Sequence, residues 1–149
     1  MSIAIAFFGL QFEAENCSLV EKLIHRAEEL GYEALVEEKY LAQLGQCQLS
    51  KTVKPFSTQD DLHAEVELMI SLGGDGTMLR AVTYIGHKNI PLVGINTGRL
   101  GFLSLLSTAD AETLLDRFVS HNYRLEERQL LQLDLKGDDT AFSEHNFAL

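Results

Sequence analysis

Apolar residues come in short runs separated by helix-spaced stretches. Ile3 to Phe8 carry no charge and stop at Gly9, as a strand covered on both faces does. Val20, Leu23, Ile24, Ala27 and Leu30 then recur at helical spacing, opposite Glu21, Lys22, Arg26, Glu28 and Glu29. Gly31 stands where a helix-ending glycine belongs. Tyr32–Glu37 reads as a second strand, and Tyr40, Leu41 and Leu44 as a short helix. Residues 45–61, with Pro55 and a Ser/Thr/Gln cluster, read as irregular. Glu65–Leu72 is the third expected strand. A helix follows from Thr77 to about Gly86, and Pro91–Ile95 makes a fourth strand. Ser107 or Thr108 can cap a last helix whose inner face is Leu114, Leu115, Phe118 and Val119.

Strands alternating with helices predict an α/β fold, an open and mainly parallel sheet flanked by helices. Ligands of such sheets bind beyond the carboxyl ends of the strands. The final stretch has another period. Leu131–Lys136 alternates apolar and polar, Gly137–Thr140 reads as a turn, and Phe142–Leu149 as a return strand. The expected organisation is therefore an α/β domain over 1–122 and the beginning of a second, all-β domain over 123–149. Ending on the apolar Phe147-Ala148-Leu149 suggests a piece of a longer protein.

The third strand runs into Gly73-Gly74-Asp75-Gly76-Thr77. Strand, glycine turn and helix together point backbone N–H groups at an anion. The P-loop pattern fails because no lysine follows Gly76, and the dinucleotide fingerprint fails because its last glycine would fall at Leu79. Asp75 is the odd member, since a carboxylate repels a phosphate. It could hold the metal that neutralises the phosphates, or accept a proton from an attacking hydroxyl. The plain alternative is a tight turn with Asp75 capping the helix. A second glycine loop, Asn96-Thr97-Gly98-Arg99-Leu100-Gly101, follows the fourth strand directly.

A length of 149 residues suits one domain with a sizeable core. The net charge of −10 argues against nucleic acid or an anionic membrane as partner. It leaves room for a nucleotide held by amides, a metal and one or two cations. No apolar stretch approaches the roughly 20 residues of a membrane span, and no signal-peptide pattern opens the chain. Cys17 and Cys47 are far apart in sequence and are expected to be free or buried thiols of a reducing cytoplasm.

With both loops in hand, the sequence resembles the NAD kinase family. Gly73-Gly74-Asp75-Gly76-Thr77 looks like the family's first motif, and Asn96-x-Gly98-x-x-Gly101-Phe102-Leu103 like its second. Tyr123-x-x-Glu126-x-Arg128 also matches, and Ala148-Leu149 looks like the start of an Ala-Leu-Asn-Glu motif. The resemblance implies a kinase that moves the γ-phosphoryl group of ATP, or of polyphosphate, to the 2′-hydroxyl of the adenosine ribose of NAD, giving NADP. It implies Mg²⁺ as divalent cofactor with no metal-binding residue assigned, a cytoplasmic location, and a homo-oligomer (dimer or tetramer) in the full-length protein. Carried over, Asp75 is the proton acceptor. Asp75, Gly76, Arg80, Asn96, Thr97, Gly98 and Phe102 would bind NAD, and Gly73, Gly74, Gly76 and Thr77 the phosphates. The Asn-Glu pair and the all-β domain are missing, so this piece alone is expected to be inactive.

Two other readings stand beside this one. A lipid or sugar kinase of the related fold shares the first motif, but the second motif disfavours it. A non-catalytic nucleotide-binding module would keep the turn without the chemistry. Arg80 by position is as readily a solvated helix residue as a ligand contact, and Phe102 and Leu103 as readily core as pocket. The five histidines show no metal-ligand spacing. Asp60-Asp61 and Asp138-Asp139 read as turn residues, and Glu28-Glu29 and Glu37-Glu38 as solvated faces.

Overall fold

The computed structural model describes residues 2–63, 65–99, 101–104, 106–132 and 147–148. Its centre is the uncharged opening run, which forms β1 (Ala4–Gly9), buried at every position. Beside it lie β2 (Glu33–Glu37), β3 (Lys54–Phe56), β4 (Val66–Gly73) and β5 (Leu92–Asn96), in the order β3-β2-β1-β4-β5. All four pairings are parallel. The expected parallel sheet is thus the observed one.

Alternate residues of β1 face opposite layers. Ile5 and Phe7 pack with Val20, Leu23, Ile24 and Ala27 of α1 (Cys17–Glu29) and with Ala111 and Leu115. Ala4, Ala6 and Phe8 pack with Ala81 and Ile85 of α3 (Asp75–Ile85). Helices therefore cover both faces. Between them in sequence, α2 (Glu38–Gln43) follows β2 directly. The last described helix, α4 (Leu114–Val119), continues a 3₁₀ turn at Asp110–Thr113.

Helix α1 ends as its sequence requires. Gly31 N–H donates to Glu28 O at 3.0 Å and Tyr32 N–H to Ala27 O at 2.9 Å, the paired bonds that close a helix on a glycine. Ser107 Oγ accepts from Asp110 N–H at 3.2 Å ahead of α4.

Several expectations need correction. The stretch 45–61 holds a strand, β3, and a 3₁₀ turn at Gln59–Asp61. Pro55 disguised it, yet β3 is the edge strand beside β2, where a missing N–H has no partner to lose. Helix α3 begins at Asp75 rather than Thr77, with Gly74 as its N-cap. Val119, placed on an inner face, is 42% exposed. Glu37 is no solvated face: it is 3% exposed, with Oε2 accepting Tyr40 N–H at 2.8 Å. Cys17 and Cys47 are not free thiols but form a disulfide across a Cα–Cα distance of 5.6 Å.

At the far end, β6 (Leu131–Gln132) pairs antiparallel with β7 (Phe147–Ala148). The expected turn at Gly137–Thr140, and Asp138-Asp139 within it, lie outside the described residues. Among those described, no helix is long and apolar enough to cross a membrane.

Candidate functional site

Strand order dictates where a ligand can sit. Chain connections leave β1 and β4 toward opposite faces of the sheet, so a crevice opens between their carboxyl ends. Gly9 and Leu72 are neighbours there, and Gly73 pairs with Asn96 of β5. The two glycine loops consequently leave the same edge from adjacent strands.

Gly73 is needed for two reasons. Its φ of 152° suits glycine, and a β-carbon there would stand 2.8 Å from Thr77 Cβ. Thr77 is buried against this turn, so its side chain closes the loop from beneath. Gly74 and Gly76 have open space where a β-carbon would point. The first turn of α3 has N–H groups with no intrahelical acceptor, the arrangement that attracts anions.

Asp75 points its carboxylate across to the second loop. Oδ2 accepts Phe102 N–H at 2.8 Å, and Oδ1 accepts Leu103 N–H at 2.9 Å and Ser104 N–H at 3.1 Å. It sits at the first helical position, and its side chain is turned to the second loop instead of capping α3. Hydrogen bonds from Phe102, Ser104 and Leu103 hold its pKa below the ordinary carboxylate value. The group is ionised at neutral pH and partly exposed. Oδ2 takes one of these three amide bonds and has capacity for a second donor.

The second loop is shaped by its own side chains. Asn96, 5% exposed, donates from Nδ2 to Arg99 O at 2.6 Å and accepts Gly98 N–H on Oδ1 at 2.8 Å. Asn96 N–H donates to Leu106 O at 2.7 Å and Leu106 N–H to Gly94 O at 3.3 Å, so Leu106 returns beside β5 and pins the loop's far end. Gly101 lies flat against the Asp75 carboxylate. Phe102, next along, is 91% exposed and belongs to no core.

The structure thus brings Gly73, Gly74, Asp75, Gly76 and Thr77 together with Asn96, Thr97, Gly98 and Phe102. Arg80 stands one turn beyond Thr77 on α3. It shares a face of α3 with Tyr84 and is near enough to that hydroxyl to act on its pKa. Burial is what chiefly raises the Tyr84 pKa, with help from Glu37, whose Oε1 accepts its hydroxyl at 3.4 Å. Sequence reasoning missed Ser104. It is wholly buried, donates its amide to Asp75, and leaves its hydroxyl without a hydrogen-bond partner among the described residues. No spacing rule marks such a residue.

A concavity of about 500 Å³ lies elsewhere, between α1 and the 110–119 segment. Its rim is tied by Lys22–Glu112 at 2.7 Å and Arg26–Asp116 at 2.5 Å. It has no glycine turn and none of the motif residues, so the candidate site is the loop junction.

The family model of the ATP-NAD kinase N-terminal domain matches residues 5–123, a span that includes both loops. The chain belongs to the NAD kinase family. An NAD kinase of Cytophaga hutchinsonii is 38% identical over 146 residues, covering 97% of this chain and 49% of that protein. An NAD kinase of Flavobacterium johnsoniae is 35% identical over 146 residues, covering 97% and 50%. One of Bacteroides fragilis is 37% identical over 128 residues, covering 86% and 44%. This member of the family spans about half the length of the curated relatives it matches. The crystal structure of yeast NADH kinase complexed with NADH shares the fold, with a TM-score of 0.73 at 18% identity, over 94% of this chain and 45% of that one.

Proposed function

We propose that the protein containing this chain transfers the γ-phosphoryl group of ATP, or of polyphosphate, to the 2′-hydroxyl of the adenosine ribose of NAD, forming NADP. The observation that carries the reading is the ionised Asp75 carboxylate held between two glycine loops in a chain of this family. In the proposed step, Asp75 accepts the 2′-hydroxyl proton as the new oxygen–phosphorus bond forms and the bond to ADP breaks. Amide hydrogen bonds fix the carboxylate's orientation before substrate arrives, so no reorganisation accompanies the transfer. Gly73, Gly74, Gly76 and Thr77 form the phosphate-facing turn. Asn96, Thr97, Gly98 and Phe102 line the nucleotide side with Asp75 and Gly76, and Arg80 supplies a cation from α3.

Mg²⁺ fits this site only as a companion of the substrate phosphates. Among the described residues the loop junction offers one carboxylate, Asp75, and both its oxygens already accept N–H groups. Mg²⁺ needs one or two carboxylates plus phosphate oxygens and water. When bound, it would neutralise phosphate charge, and we assign no ligand to it here.

In the same reading, residues 1–122 are the α/β domain and 123–149 the start of an all-β domain completing the NAD pocket. The full-length protein is a cytoplasmic homo-oligomer. The test is an assay of the full-length protein with ATP, Mg²⁺ and NAD. NADP should form, and Asp75→Asn should lower turnover about 10²–10⁴-fold with little change in the Michaelis constant for NAD. Absence of NADP refutes the activity; undiminished turnover in the Asp75→Asn variant removes Asp75 from the base role.

A further inference from the structure

The disulfide lies outside the glycine loops and is unused by the chemistry above. Cys17 is the first residue of α1, and Cys47 sits in the connection from α2 to β3. Both are half-buried, so small molecules can reach them. We propose that Cys17 and Cys47 are a reversible thiol–disulfide pair, a modification site for low-molecular-weight disulfides, whose oxidised state pins the β1–α1 loop at the carboxyl edge of the sheet.

The surroundings hold the two sulfurs together without the bond. Glu21, one turn into α1, accepts Gln48 N–H on Oε1 at 2.6 Å. That contact fixes the residue after Cys47 against the helix that begins at Cys17. The same oxygen lies 3.3 Å from Cys17 Sγ, a distance that becomes an S–H···O hydrogen bond when the pair is reduced. Thr52 Oγ1 donates to Glu28 at 2.5 Å, a second tie between the same segments. Preorganised thiols close a disulfide with little loss of freedom, which favours the intramolecular product over a mixed one.

The exchange balances. Cys17, as its thiolate, attacks RSSR and forms Cys17–S–S–R as RS⁻ leaves and takes up the proton that Cys17 released to water. Cys47, losing its own proton, then attacks the Cys17 sulfur and releases the second RSH. Two protein thiols are oxidised by two electrons and one small disulfide is reduced to two thiols.

What the bond controls follows from its neighbours. The loop after β1 is already held by Gln43, which accepts Phe12 N–H at 3.1 Å and donates to Leu10 O at 3.2 Å. The Tyr40 ring packs against Gly9 and meets Phe12 edge-on at 6.3 Å. The disulfide is the covalent third tie on the loop that borders the β1–β4 crevice. Reduction leaves that wall on non-covalent contacts alone.

The test equilibrates the 149-residue chain in glutathione–glutathione disulfide buffers, traps thiols with iodoacetamide and weighs the product. The expected result is loss of both alkylations together and of two hydrogens in mass as the buffer becomes oxidising, reversed by reduced glutathione. Cys47→Ser should stop at a mixed disulfide on Cys17. Amide exchange over residues 10–16 should slow on oxidation and not in Cys47→Ser. Both thiols alkylated in the most oxidising buffer would overturn the proposal, as would a bond that reduced glutathione cannot open. Unchanged exchange over 10–16 would overturn the loop assignment. Stoichiometric Zn²⁺ held by the reduced chain through both cysteines would reassign the pair to metal binding.

Discussion

Gly101 lies so close to Asp75 that a β-carbon on it would stand 2.5 Å from the carboxylate carbon. The first motif's charge and the second motif's glycine are therefore two halves of one joint. Gly101→Ala should push the carboxylate off the amides of Phe102, Leu103 and Ser104 while leaving the acid itself in place. Amide exchange at 102–104 should speed up, with the sheet's protection unchanged. In the full-length protein, turnover should fall although Asp75 is intact. Unaltered exchange at those three amides would show that the carboxylate does not hold the loop.

The same joint sets an acid limit. Asp75 has a pKa lowered by its three amide donors, so its contribution to loop stability is fully present above the unfolded value of 3.8 and is lost as pH falls through the still lower folded value. A carbon-detected titration of Asp75 should show a midpoint below 3.8, and the amides of 102–104 should shift with it. A midpoint at or above the ordinary value would contradict the hydrogen bonds.

Gly73→Ala should destabilise the fold by about 1–3 kcal/mol, combining backbone strain with the clash on Thr77. For a chain of this size that lowers the melting temperature by about 2–4 °C per kcal/mol. Adding Thr77→Ala should recover part of the loss, because the methyl and hydroxyl leave but the strained φ remains. Full recovery would mean that the hydroxyl and methyl contacts alone mattered, and none would mean that the strained φ and the retained β-carbon at position 77 did.

Phe102→Ala should leave stability within about 0.5 kcal/mol, as surface changes usually do, because the ring is 91% exposed. In the full-length protein it should weaken NAD affinity. A marked drop in the unfolding midpoint would return Phe102 to the core, and unchanged affinity would remove it from the site.

Most of this fold was legible because its central strands are read from an absence of charge. Ile3–Phe8 and Leu68–Leu72 admit no wet face, and the glycines after them mark the carboxyl edge. What stayed hidden depends on which strand is an edge and which segments meet. Pro55 argued against a strand until its position at the sheet margin removed the objection. Glu37 looked like any surface glutamate, but its buried carboxylate caps α2. The Cys17–Cys47 approach joins segments 30 residues apart, and periodicity says nothing of such meetings. For the site, the motif located Asp75, but only the folded chain aims its oxygens at amides 27 to 29 residues further on.

The strand order also schedules how the chain is made. β1 is the middle of the sheet, yet one of its two neighbours, β4, is not synthesised until residues 66–73. Segments emerging from the ribosome can build β1 against β2 early. Until Val66–Gly73 appear, however, the uncharged central strand presents an open edge to its surroundings. A pause in translation before that point would hold a sticky intermediate, whereas a pause after Gly73 would not. Substitutions that slow β4 docking should therefore raise the demand for chaperones more than equally destabilising changes in α4, which is made after the sheet is complete.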